Sequence, residues 1–147
     1  MAGQSGGGAA GAGERSVFSG FSQDDSSAKE LRFPSPSHVR RIITERQARS
    51  KFFDAELFAD PAWDMLLDLT AAHGEGVRVS VTSLCIASGV PPTTALRWVR
   101  QMTENGLFER IDDPSDKRRA FISLSAKSRD PMSRYFALIE APLVAAA

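Results

Sequence analysis

The chain has 147 residues, with 18 Lys plus Arg against 18 Asp plus Glu, and a single cysteine. That length allows about one domain, the charge balance gives no global attraction to a polyanion, and one cysteine excludes an internal disulfide or a zinc ribbon. No stretch approaches the roughly 18 apolar residues needed to span a bilayer, and the start lacks the basic and apolar regions of a signal peptide, so a cytoplasmic protein without a membrane role is expected.

Residues 1–37 are mostly Gly, Ala and Ser, as in MAGQSGGGAAGAG and SVFSGFSQDDSSAK. They carry too little apolar bulk to offset ordering entropy and are expected to form a disordered tail. Phe18, Phe21 and Phe33 within it are either inert or a short motif for a partner. Ser37 is placed to cap a first helix running to about Phe53, with Val39, Ile42 and Ile43 on one side. Its Arg40, Arg41, Arg46, Arg49 and Lys51 form either a solvated face with alkyl stems packed down or an auxiliary phosphate contact. Asp60-Pro61 offers a cap and a first-position proline for a second helix. Trp63, Leu66, Leu67 and Thr70 face inward on it, Met65 and Leu69 widen the stripe, and Asp64 and Asp68 fall on its wet side.

Val77, Val79 and Val81 alternate with Arg78 and Ser80, the period of a half-buried strand. Ser80 can cap a short helix whose apolar face is Leu84, Cys85 and Ala87, and Gly89 closes it in a left-handed conformation. Val90-Pro91-Pro92 makes a rigid turn, and either proline can be the first residue of the next helix. That helix, Thr93 to about Asn105, places Ala95, Trp98, Val99 and Met102 on a core-facing stripe. Thr93, Thr94, Leu96, Arg97, Arg100 and Gln101 are left on the rest of its surface. Arginine can bond guanine in bidentate fashion, glutamine adenine, and threonine or leucine methyls can touch thymine. Asn105-Gly106 ends the helix in a left-handed turn.

Leu107 to Ile111 and Ala120 to Leu124 are expected to pair as strands around the turn Asp113-Pro114-Ser115-Asp116, leaving Lys117, Arg118 and Arg119 at an exposed tip. Residues 77–129 hold nine basic and five acidic side chains, so a local basic patch exists where the whole chain is neutral. Ser125 would start a last helix, but Pro131 interrupts it. A fresh start with Asp130 as cap and Pro131 as first residue is preferred over a bent helix. Met132, Tyr135, Phe136, Leu138 and Ile139 then form an apolar side, and residues 141–147 read as frayed.

Strand, helix, turn, helix, strand, basic loop, strand is the order of a winged helix-turn-helix, mainly α with a small antiparallel β-wing. The run GVPPTTALRWVRQMTENGL followed by DPSDKRRAFISLS resembles the recognition helix and wing of the MarR family of transcriptional regulators, over roughly residues 38–140. The resemblance implies double-stranded DNA as partner, a homodimer on a pseudo-palindrome, and association with the nucleoid through DNA. It further implies that Arg97 reads bases or phosphates, that Arg118 enters the minor groove, and that Asp116 orients Arg118. Val39, Ile42, Ile43, Tyr135, Phe136 and Ile139 are the residues expected at the dimer contact. A small-molecule effector is left open, and no cofactor or metal is expected. His38 and His73 sit at helix ends, where they serve as surface groups or dipole partners, and nothing points to an enzyme. The rival reading is a winged-helix protein-interaction adaptor without sequence-specific DNA binding.

Overall fold

In the computed structural model, residues 33–140 are described. Of the expected tail over residues 1–37, residues 1–32 lie outside the described residues, as does the expected frayed end at 141–147, whereas Pro36 and Ser37 already belong to the first helix.

Helix α1 spans Pro36–Ala48. Its cap is Ser35 rather than Ser37, the side chain accepting from the His38 backbone N–H at 3.5 Å. The cap sits two residues earlier because Pro36 occupies the first helical position, where a missing N–H costs nothing. α1 also stops short of Phe53. A 3-10 turn at Arg49–Lys51 follows it, and Phe52 and Phe53 emerge exposed beyond the turn. A second 3-10 turn, Ala55–Phe58, is capped by Asp54.

Helix α2 spans Pro61–Glu75 and ends at Gly76, whose φ of 71° is the left-handed state glycine reaches without a Cβ clash. Asp60 precedes it without a side-chain capping bond; its carboxylate instead lies 3.7 Å from Arg46. Met65, Leu67, Leu69 and Thr70 are buried, while Trp63 and Leu66 are half-buried. Near its end Gly74 sits so close to α1 that an added Cβ would lie 2.8 Å from Pro36 Cγ.

Strand β1 is only Val79–Ser80, because Ser80 turns the chain directly into helix α3, Val81–Ala87, by accepting from the Ser83 N–H at 3.1 Å. Val77, expected in that strand, is outside it and exposed. Gly89, with φ 74°, reverses the chain after α3. Helix α4 then runs Pro92–Glu104. Its exit uses Gly106 at φ 80°, whereas Asn105 keeps an ordinary negative φ. Strands β2, Phe108–Asp112, and β3, Ala120–Leu124, complete an antiparallel sheet in the order β1-β3-β2. Ile122 pairs with Val79 on one side and Arg110 on the other.

The last helix, α5, runs unbroken over Ala126–Glu140 with Pro131 inside it, so the expected restart at Asp130 does not occur. Ser125 accepts from the Ser128 N–H at 3.2 Å and serves the start of the helix. Lys127, whose carbonyl loses its usual donor to the proline, is exposed, as is Pro131, so water can take the place of the missing bond.

Two apolar clusters hold these elements. One joins Met65, Leu69, Leu84, Ala95, Val99 and Ile122 beneath α3, α4 and the sheet, with Trp98 packed at its edge. The other joins Val39, Leu67, Ala71, Met132 and Phe136 between α1, α2 and α5. Val39 and Phe136, assigned to a dimer contact from the sequence, are thus buried inside one protomer. The reason is that α5 folds back on its own α1 and α2, which already supply an apolar partner for those side chains. Among the described residues, no helix is long and apolar enough to cross a membrane.

Candidate nucleic-acid interface

Helix α4 separates its two faces cleanly. Ala95, Val99 and Met102 are buried, whereas Thr93, Leu96, Arg97, Arg100 and Gln101 are exposed and Thr94 is half-buried. Spacings of three and four residues put the first group on one stripe and the second on the remainder of the cylinder. Among the described residues, Arg97 and Arg100 have no ion-pair partner. Two unneutralised guanidinium groups, two threonine methyls, a leucine and a carboxamide on one outward surface suit base edges and phosphates.

The helix is held in place from both ends. Before it, Ser88 is buried, donates to the Cys85 carbonyl at 2.6 Å and accepts from the Val90 N–H at 3.3 Å, which fixes the turn between α3 and α4. After it, α5 reaches back to the exit turn. Ser125 Oγ donates to the Gly106 carbonyl at 2.7 Å, Ser128 Oγ to the Leu107 carbonyl at 2.7 Å, and Lys127 Nζ to the Asn105 carbonyl at 3.1 Å. These bonds went unread in the sequence, because a serine's partner 19 or 21 positions away leaves no local pattern.

The β2–β3 connection is a folded loop. Asp113 accepts from both the N–H and the hydroxyl of Ser115, at 2.9 and 2.8 Å, and these bonds hold its carboxyl below the ordinary range. Asp116 accepts from the Arg118 N–H at 3.0 Å and from its guanidinium at 3.1 and 3.3 Å. The Arg118 side-chain hydrogen bond, then its backbone N–H, lower the Asp116 carboxyl as well. The Arg118 side chain remains 89% exposed, so it is steered without being covered. Lys117 is exposed with no ion-pair partner among the described residues. Arg119 is turned back toward the sheet: its guanidinium lies 5.2 Å from the Phe121 ring and 4.0 Å from Asp113. Arg78 lies 4.6 Å from the same ring. Strand alternation carried that signal, since Val79 and Ile122 inward leave Arg78 and Phe121 on the opposite face.

The arginines of α1 and of the 3-10 turn after it divide differently. Arg40 bonds Asp68 at 2.8 Å and grips both oxygens of Glu75 at 3.1 Å. The Glu75 bond raises its pKa, burial opposes the shift, and the bond to Asp68 adds to it. Arg46 bonds Asp64 at 2.7 Å, and Arg49 lies 4.6 Å over the Phe58 ring. These cations are therefore committed to α2 and the 3-10 turn, and Asp64 and Asp68 are ion-pair partners rather than simply a wet side. His73 is half-buried, with its ring 4.7 Å from Phe33; burial, then the charge of Arg129, lower its pKa to about 4. Burial pushes the Cys85 thiol up, away from the reactive thiolate. Among the described residues, no three His, Cys, Asp or Glu side chains gather as a metal site would require.

A two-residue strand, two helices meeting at a glycine turn, and a hairpin closing the sheet complete the pattern. The fold is a winged helix-turn-helix. Its α4 is the second helix of the helix-turn-helix and β2–β3 the wing. No protein-family model and no curated protein matches the chain. Solved structures with a similar chain path include S. aureus MepR in a DNA-binding conformation, at 18% identity over 78% of this chain and 85% of that one, TM-score 0.48. The heme sensor protein PefR from Streptococcus agalactiae in complex with heme is 18% identical over 71% of this chain and 74% of that one, TM-score 0.48. A mutant MarR from E. coli complexed with operator DNA is 16% identical over 71% and 67%, TM-score 0.46.

Proposed function

We propose that the chain is a MarR-like transcriptional regulator that recognises double-stranded DNA by sequence, rather than an enzyme. The observation that carries the reading is the outward surface of α4, where Arg97 and Arg100 stay exposed without an ion-pair partner among the described residues, while the other arginines of the second half of the fold are engaged or steered. In this reading Thr93, Thr94, Leu96, Arg97, Arg100 and Gln101 lie in a major groove. Lys117 and Arg118 at the wing reach phosphates or the minor groove, with Asp116 setting the angle of Arg118. Arg119 adds charge near the wing base. Two protomers related by a two-fold axis would place their recognition helices in successive major grooves roughly 34 Å apart.

The effector left open by the sequence has a suitable place in a cleft of about 380 Å³ between α1, α2 and the end of α3, lined by Ile43, Phe58, Arg40, Arg46, Asp64 and Asp68. Its charges are already paired across α1 and α2, so a ligand there would act by loosening that clamp.

Selection of bound sites from a random duplex library tests the function directly. An enriched, two-fold symmetric motif with half-sites about one helical turn apart is expected. An unenriched pool, together with no salt-sensitive retention on DNA resin, would favour the protein-interaction module instead.

A further inference from the structure

A second pocket, of about 240 Å³, opens between the end of α2 and strand β3. Leu69, Ala72 and Leu124 line its apolar interior and His73 one wall; Val77 and Ile111, 49% and 59% exposed, stand at its rim. It is smaller than the roughly 300–1,000 Å³ of most small-molecule sites and of a size for inserted side chains. None of the DNA-facing residues of α4 belongs to it.

The chain itself arrives there. Phe33, the first described residue, packs on His73 in the pocket wall, with ring centroids 4.7 Å apart. The 32 residues that precede it contain two aromatic side chains, Phe18 and Phe21, followed by Asp24 and Asp25. From Phe33 back to Phe21 the chain can extend about 40 Å, far more than a return to the pocket requires, and closing so short a loop has a modest entropic cost. Around the pocket Arg78 and Arg119 flank Phe121, which lines the opening, with the Asp113 carboxylate 4.0 Å from Arg119, and the charge of Arg129 is felt at His73, so that guanidinium groups predominate. An F-x-x-F segment followed by two carboxylates matches an apolar recess bordered by guanidinium groups.

We propose that this pocket is the docking site of the chain's own N-terminal segment, with Phe18 and Phe21 filling it and Asp24 and Asp25 set against Arg78 and Arg119. The docked segment covers Val77 and Ile111 and places acidic groups beside the base of the wing. The proposal stands whether or not the protein binds DNA.

Hydrogen exchange read by mass spectrometry on the full chain tests it. Amides of residues 17–25 should exchange about tenfold more slowly than an unstructured peptide of the same sequence. Phe18→Ser with Phe21→Ser should abolish that protection and speed exchange around residues 77–79 and 121–124, without moving the thermal midpoint of the folded core. Ser123→Trp, which fills the pocket from β3, should release residues 17–25 in the same way. Free exchange over residues 17–25 in the unaltered chain would overturn the proposal, as would protection that survives both variants. Protection that grows with protein concentration would assign the pocket to another copy's segment and overturn docking within one chain.

Discussion

Arg97 and Lys117 are both exposed cations without partners among the described residues, yet they should behave differently. Arg97 projects from a helix and, in the proposed complex, would meet base edges, so Arg97→Ala is expected to weaken cognate binding by on the order of 1–3 kcal/mol and to relax base preference. Lys117 sits on a loop and offers a point charge, so Lys117→Ala should weaken all sequences alike and flatten the salt dependence by about one unit of slope. Fluorescence anisotropy on cognate and random duplexes at several salt concentrations separates the two, and equal losses on both duplexes for both variants would refute this division. His73 supports a pH prediction. Its pKa falls from 6.5 to about 4 on folding, so between those values the unfolded chain binds more protons than the folded one. Stability present above pH 6.5 is therefore lost as the pH falls toward 4. After discounting for the part of the ring that water screens, the loss is on the order of 1–2 kcal/mol. Thermal unfolding should show it, and His73→Phe should flatten the profile over that window. The outward set on α4 was legible in the sequence because 3.6-residue periodicity assigns faces without tertiary knowledge. The fate of Arg40 and Arg46 was not, since their carboxylates sit 28 and 18 positions away on another helix. Solvated and paired arginines have the same local pattern.

Helix α5 shows where local rules lose to context. A proline in a helix interior costs about 3 kcal/mol in isolation, which favoured a restart at Asp130. Burial of Ser128 on one side of Pro131 and of Met132, Ser133 and Phe136 on the other holds a single continuous helix instead. Pro131→Ala should accordingly raise stability by about 2 kcal/mol, the helix penalty less the smaller unfolded-state entropy that proline removes. An unchanged denaturant midpoint would mean that the site has relaxed the strain completely. Strand β1 fails for a related reason. Alternation over Val77, Val79 and Val81 was real, but Ser80 is also a good helix cap, and the capping bond to Ser83 ends the strand after two residues. The turns around Gly76, Gly89 and Gly106 were easier, because a left-handed position leaves glycine as its signature.

At the scale of the molecule, burial of Val39 and Phe136 within one protomer narrows the surface available for self-association. Tyr135, Leu138 and Ile139 remain 41%, 74% and 47% exposed on α5, an apolar strip that suits a second copy. In the proposed dimer, Leu138→Glu with Ile139→Glu should raise the dissociation constant at least about tenfold, or 1.4 kcal/mol, in sedimentation equilibrium, while leaving the folded monomer intact. A dimer of unchanged affinity would move the contact elsewhere. The serines at the start of α5 give that strip a mechanical meaning. Because Ser125 and Ser128 are fastened to the carbonyls of Gly106 and Leu107, the terminal rod is tied directly to the exit of α4, the proposed reading head, so a tilt of one would carry the other along. The angle at which two such rods cross would then set the gauge between two reading heads, much as an axle sets the track of its wheels.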